Sequence, residues 1–198
     1  GSTACARNGV TLSIRKFSKT ALTLEKLVEF GSLSPQAREL LEIVIALDKN
    51  VLVAGGTGSG KTQLLNALSG AIPGHDRIVV IEDTSELRLQ QDHVVSLESR
   101  AADRHGQGEV SIRDLLHSAL RLRPDRIIVG EVRSGEALDL VQSMISGHAG
   151  SLSTIHADTA RDALVRLDDA LAADDGARDG RGAASPVPAF PPTEGDPT

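Results

Sequence analysis

Tryptophan and tyrosine are absent from this chain, and phenylalanine occurs only at Phe17, Phe30 and Phe190. A core, if there is one, has to be built from Leu, Ile, Val and Ala. The aromatic platforms on which single-stranded nucleic acids stack are missing as well. Cys5 is the sole cysteine, which excludes an internal disulfide and suits a reducing compartment. No apolar run approaches the ~18 residues that a membrane-spanning helix needs. No signal peptide is legible, and the chain opens Gly1-Ser2 rather than with Met, as a fragment or a cloning scar would. An excess of positive charge is also lacking. The net charge is −6, so there is no overall basic footprint for DNA or RNA.

What is present is a repeating alternation. "NVLVA" (50–54), "RIVVIE" (77–82), "VVSL" (94–97), "RIIVGE" (126–131) and "SLSTIH" (151–156) read as short strands. "VTLSIR" (10–15) alternates apolar and polar residues and predicts another. Between them lie helical patterns with start signals. Thr23 opens "TLEKLVEF" and Gly31 stops it; Ser34-Pro35 places an N-cap and an N1 proline before the next. Ser111 with Asp114 and Thr159 with Asp162 form capping pairs for two more. The spacing puts Leu40, Leu41, Ile43, Val44 and Leu47 on the face of one helix, and Leu138, Val141, Met144 and Ile145 on the stripe of another. Apolar strands alternating with helices predict an α/β fold with a largely parallel sheet flanked by helices. From Ala172 the composition shifts: five Pro and four Gly fall in 27 residues, and Phe190 is the one large apolar side chain beside Val187. Such a segment buries too little surface to offset its ordering entropy, so 172–198 is expected to be a disordered tail.

"GGTGSGKT", Gly55–Thr62, matches G-x-x-x-x-G-K-[ST] between a predicted strand and a predicted helix. In that context Gly55, Gly56, Thr57, Gly58, Ser59 and Gly60 turn backbone N–H groups toward phosphate oxygens, and the helix N-terminus adds positive partial charge. Lys61 then reaches the β and γ phosphates and Thr62 holds Mg²⁺. A nucleoside triphosphate is the expected ligand. The guanine-reading N-K-x-D signal of small GTPases is missing, as are the acceptor site and Arg-rich lid of small-molecule kinases. That leaves the RecA-like ATPases, which carry a strand-end acid near the γ-phosphate. "RIIVGE" ends in such an acid, Glu131. In an α/β sheet the strand carboxyl ends collect ligands, and a carboxylate there can position or polarise the attacking water. The ordinary alternative is a solvated strand-end glutamate.

Four segments in order, "GGTGSGKT", "IEDTSELRL", "LRPDRIIVGEVR" and "GHAGSLSTIHA", resemble the type II/type IV secretion-system ATPases from about Val10 to about Leu171. "LQQDHVVSLESR" and "GQGEVSIRDLL" resemble the CpaF-like ATPases of Tad (Flp) pilus assembly most. The resemblance implies a RecA-like P-loop core, with ATP and Mg²⁺ as cofactors. It makes "IEDTSEL" an Asp box that places Glu82, Asp83 and Glu86 near Mg²⁺ and the attacking water. "RIIVGE" becomes a Walker B in which glycine stands in the usual Asp place, with Glu131 as catalytic base. "GHAGSLSTIHA" becomes a His box, in which His156 approaches the γ-phosphate or a neighbouring subunit and His148 shapes the box. Arg15 and Arg133 match arginines that approach the phosphates, and Arg113, Arg121 and Arg123 are candidates for a subunit interface. His75, His93, His105 and His117 are expected at the surface.

The family also implies a homo-hexameric ring, cytoplasmic and peripheral at the inner face of the membrane, docked on a polytopic platform protein and not on nucleic acid. The domain reading that follows is 1–17 as the remnant of an N-terminal domain and 18–48 as linker and leading helices. Residues 49–171 form the ATPase domain, incomplete at its C-terminal end, and 172–198 the tail. Family members extend further at both ends. Besides the motor, a non-catalytic nucleotide-binding remnant and a RecA-like DNA-translocating module therefore stay open as alternatives.

Overall fold

A computed structural model describes residues 22–132, 136–145, 147 and 149–178. The strand expected at 10–15, Arg15, Arg133 and His148 lie outside the described residues, as does everything after Arg178. The elements follow in the order α1 (Leu24–Glu29), α2 (Pro35–Ala46), β1 (Val51–Gly55), α3 (Lys61–Ser69), β2 (Ile78–Glu82) and β3 (Val94–Glu98). Next come α4 (Ile112–Leu120), β4 (Arg126–Val132), α5 (Glu136–Ile145), β5 (Leu152–His156) and α6 (Ala160–Arg178). The anticipated caps form. Thr23 Oγ1 accepts from Lys26 N and Ser34 Oγ from Ala37 N. Ser111 and Asp114 make the reciprocal capping box of α4, and Thr159 Oγ1 accepts from Asp162 N.

The strands form one sheet in the order β1-β5-β4-β2-β3, with every pairing parallel. Parallel strands need crossovers, and the crossover helices cover both faces, so a central strand reads as unbroken apolar sequence. β2 shows the consequence. Ile78 and Val80 pack with Ile45, Leu65 and Leu68 on the face that α2 and α3 cover. Val79 and Ile81 pack with Leu116 and Leu140 under α4 and α5. All five residues of β2 are buried.

Three expectations need correction. On α2 the fully buried residue is Ile45, whereas Leu40, Ile43 and Leu47 of the expected face are exposed. On α5 the buried residues are Ala137, Asp139, Leu140 and Ser143, and Ile145 is 80% exposed. The α5 stripe rotates because Asp139 faces inward, where Arg113 Nε of α4 meets its Oδ2 at 2.5 Å. Hydrophobic spacing alone could not anticipate a buried carboxylate. Finally, α6 does not stop at Leu171 but runs on to Arg178, through a segment read as tail.

The sheet is fastened at its amino-terminal edge by a buried cation. Arg126 opens β4, and its side chain is 2% exposed. Its Nε donates to Asp76 Oδ2 at 2.6 Å, just ahead of β2, and its Nη2 pairs with Asp48, just after α2. Asp76 is itself mostly buried, while the Asp48 side chain is 62% exposed. Removing one partner of a buried pair leaves an uncompensated charge and costs about 3–5 kcal/mol, whereas an exposed partner contributes about 1 kcal/mol or less. Asp76→Ala is therefore expected to lower the unfolding free energy by about 3 kcal/mol in urea titrations. Asp48→Ala should lose about a third of that or less, and equal losses would contradict this assignment.

Candidate functional site

The carboxyl ends of β1, β5, β4 and β2 lie along one edge of the sheet, and the anticipated functional residues leave from them. β1 runs directly into the Gly-rich loop, whose residues Thr57–Gly60 are exposed. Gly60, at φ 92°, is the N-cap of α3 and has no side chain to offer the helix, so the first N–H groups of α3 are left for another acceptor. Lys61 folds back, and its Nζ donates to Gly56 O at 3.0 Å. A Cβ on Gly55 would stand 2.4 Å from Ser59 Oγ, so a side chain there would turn Ser59 aside. Gly55 is register partner to His156 at the end of β5. The His156 side chain is exposed, and the backbone N–H of the next residue, Ala157, donates to Gly55 O. The sequence motif and the His box are thus adjacent.

β4 departs from regular pairing where its function is expected. Its register with β5 shifts between Val129 and Val132, a bulge that contains Gly130 and Glu131. Bulges re-aim side chains, and they cost ladder bonds. Here two hydroxyls of β5 substitute for them: Ser153 Oγ donates to Val129 O at 2.9 Å, and Thr154 Oγ1 to Gly130 O at 2.7 Å. Both residues are buried. Sequence reasoning missed them; the polar pair inside an otherwise apolar strand was the available signal.

Gly130 also answers why no aspartate stands there. A Cβ at this position would meet Glu82 Cγ at 3.1 Å and Ile81 O at 3.6 Å. The side chain of Glu82, from the neighbouring strand, occupies the space. Glu82 is 5% exposed, and its Oε1 accepts from the backbone N–H of Glu86 and of Leu87, both at 3.0 Å. Burial pushes its carboxyl up from the ordinary range; the two N–H donors oppose this, and the nearby Glu86 charge adds to it.

Glu82 and Asp83 turn to opposite faces, as successive residues at a strand end do. Glu82 is held by the segment that places Leu87 in the core with Leu65 and Leu68 of α3. Asp83 accepts from Ser99 Oγ at 2.8 Å on the α4 side. There it lines a cavity of about 440 Å³ together with Glu131, Arg113, Glu136 and Arg100. The structure therefore brings Asp83 and Glu131 together, and gives Glu82, rather than Asp83, to the face from which Thr62 of α3 rises. Arg113, expected at a subunit interface, pairs within the chain with Asp139, and His117 Nε2 lies 3.5 Å from the same carboxylate. Among the described residues, no cluster of His, Cys, Asp and Glu forms an all-protein metal cage.

A buried acid whose folded pKa is raised binds its proton more readily folded than unfolded. Its contribution to stability is whole below the unfolded carboxyl value of about 4.3 and is lost as pH rises through the folded value. Glu82→Gln keeps the Oε1 acceptor and removes the charge. The stability of the Gln variant relative to the parent is thus expected to improve as pH rises from about 4.3 through the folded value and to level off above it, read from denaturant midpoints between pH 4 and pH 8. A difference that does not vary with pH would contradict the assigned burial of the charge.

Residues 2–176 match the family described as type II/IV secretion system protein. A putative conjugal transfer protein of Mycobacterium tuberculosis is 41% identical over 163 residues, covering 82% of this chain and 46% of the relative. The type IV secretion system protein PtlH of Bordetella pertussis is 48% identical over 131 residues, covering 65% of this chain and 38% of the relative. Among solved structures, the VirB11 ATPase of the Brucella suis type IV secretion system, in complex with sulphate, superposes with a TM-score of 0.60 at 36% identity, over 78% of this chain and 45% of that one. The chain spans less than half the length of these relatives. With that match extending over most of its residues, the chain belongs to the type II/IV secretion system protein family.

Proposed function

We propose that this chain binds ATP with Mg²⁺ at Gly55–Thr62 and hydrolyses it as the motor subunit of a secretion or pilus-assembly machine. The observation that carries this reading is the gathering, at one sheet edge, of a phosphate loop after β1 with Glu82, Glu131 and His156 at the carboxyl ends of β2, β4 and β5. The loop suits polyphosphate: its glycines are bare where backbone must approach, α3 begins without a side-chain cap, and Lys61 rests on a carbonyl it can leave. Thr62 and Glu82, on the α3 face, are the groups that would hold Mg²⁺; Asp83 turns to the α4 side with Ser99, away from them. An ion held there would supply positive charge to offset the charge that develops on the phosphates.

In this reading Lys61 releases Gly56 O and pairs with the β and γ phosphates. Glu131, re-aimed by the bulge, orients the attacking water and takes its proton. His156 faces the γ-phosphate beside Gly55, and Arg133 and Arg15 supply further positive charge. The relatives' names support secretion or conjugal transfer as the setting; the finer assignment, a CpaF-like Tad pilus ATPase, rests on the sequence segments 89–100 and 106–116 alone. A hexameric ring, peripheral at the inner membrane face and docked on a polytopic partner, goes with it. No helix among the described residues is long and apolar enough to cross a membrane, which suits peripheral attachment.

The test is Mg²⁺-dependent ATP hydrolysis across a range of protein concentrations. Specific activity is expected to rise with concentration as subunits assemble. Lys61→Ala should abolish nucleotide binding and turnover together, while Glu131→Gln should retain binding and lose turnover by about 10²-fold or more. Nucleotide binding without turnover in the parent would reduce the chain to a binding remnant, and parent-like turnover by Glu131→Gln would remove Glu131 from the chemistry.

A further inference from the structure

Asn66 is a buried polar side chain that the proposed chemistry leaves unexplained. It lies on α3, one turn beyond Lys61 and Thr62, and is 6% exposed. Its Oδ1 accepts from the backbone N–H of Arg88 at 2.9 Å, a bond spanning 22 residues of chain. The segment it grips is the one that holds Glu82: the N–H donors to the Glu82 carboxylate come from Glu86 and Leu87, immediately ahead of Arg88. Leu87 is in the core beside Leu65, the residue preceding Asn66. Further on, Gln91 Nε2 donates to Ser69 O and Ile72 O at the end of α3. Residues 83–91 therefore form a strap with one end on β2 and the other fastened twice to α3. A buried side-chain acceptor for a backbone N–H is costly to remove, because the donor is left unsatisfied.

From this geometry we propose that Asn66 is a positioning residue, which ties the helix behind the phosphate loop to the Glu82 carboxylate and so fixes the separation between Lys61–Thr62 and Glu82. The catalytic part of the proposal rests on the ATPase reading given above; the mechanical part does not. Lys61 and Thr62 are on the first turn of α3, and the helix is rigid over one turn. Displacement of α3 on nucleotide binding is then transmitted through Asn66 to Arg88, and through the two adjoining amides to Glu82. Side-chain geometry at a reacting centre is sensitive to shifts of about 1 Å, which can cost about 10²-fold in rate. Substrate binding, which depends on the loop itself, is spared.

The test uses the full chain, with Asn66→Leu to remove the acceptor at similar size and Asn66→Asp to keep an oxygen in its place. Amide hydrogen exchange is followed at Glu86, Leu87 and Arg88 without nucleotide, and kcat and KM for ATP are measured on the same samples. Asn66→Leu is expected to speed exchange at Glu86 and Leu87 by about tenfold or more. It should lower kcat by about tenfold with KM changed less than about twofold, and Asn66→Asp should restore both toward the parent. Parent-like exchange at Glu86 and Leu87 in Asn66→Leu would overturn the tether, and so would a fall in kcat matched by a rise in KM. If Asn66→Leu does not fold, a folded Asn66→Asp that loses protection and turnover overturns the proposal, and one that keeps both supports it. A parent without ATPase activity would refute the ATPase reading, and the exchange comparison would still decide the tether.

Discussion

The crossing of the Glu82 side chain over Gly130 is the contact on which the rest of the site depends. β2 and β4 are adjacent and parallel, and at their carboxyl ends the space that a side chain on residue 130 would fill is taken by the Glu82 methylene group. Each consequence is local and physical. The acid of β4 stands one residue on, at Glu131. The strand bulges there, and the Val129 and Gly130 carbonyls accept from the Ser153 and Thr154 hydroxyls. A side chain at 130 would press on the Glu82 side chain and make it shift. The chain places its acids at 82 and 131 instead, with Asp83 turned to the opposite face.

A site of this kind needs its strands held still, and the sheet is fixed at both edges. At the amino-terminal edge Arg126 joins the starts of β4 and β2 to the end of α2. At the carboxyl edge the strap from Glu82 to Gln91 is bonded to α3. Between them β2 is buried along its whole length. The Gly-rich loop, by contrast, is exposed from Thr57 to Gly60 and held at its flanks. Buried strands and an exposed loop are the division of labour expected where a rigid scaffold positions a functional loop.

The strands and caps were legible because they depend on neighbours in sequence. A strand buried on both faces is apolar throughout, and an N-cap and its N3 partner lie within four residues. The phosphate loop was legible for the same reason. What remained hidden depends on groups that meet only in the fold. The inward turn of α5 comes from Asp139 meeting Arg113 of α4. The exposure of Leu40 and Ile43 on α2 and the extension of α6 to Arg178 were likewise outside the reach of spacing rules. Gly130 was visible as a departure from a usual pattern, but its cause is a side chain 48 positions away in sequence. Asn66 carried no signal at all: an asparagine in a helix after a phosphate loop reads as an indifferent surface residue until its partner at Arg88 is seen.

The central claim is that the site works because Gly130 leaves room for Glu82, and the most direct test is Gly130→Ala. Turnover of Mg-ATP and affinity for ADP would be measured on the parent and the variant at matched concentration. Pressing Glu82 aside is predicted to lower kcat by about tenfold or more while the phosphate loop keeps ADP affinity within about twofold. A variant that turns over ATP like the parent would contradict the account, since the close approach would then be incidental to the chemistry.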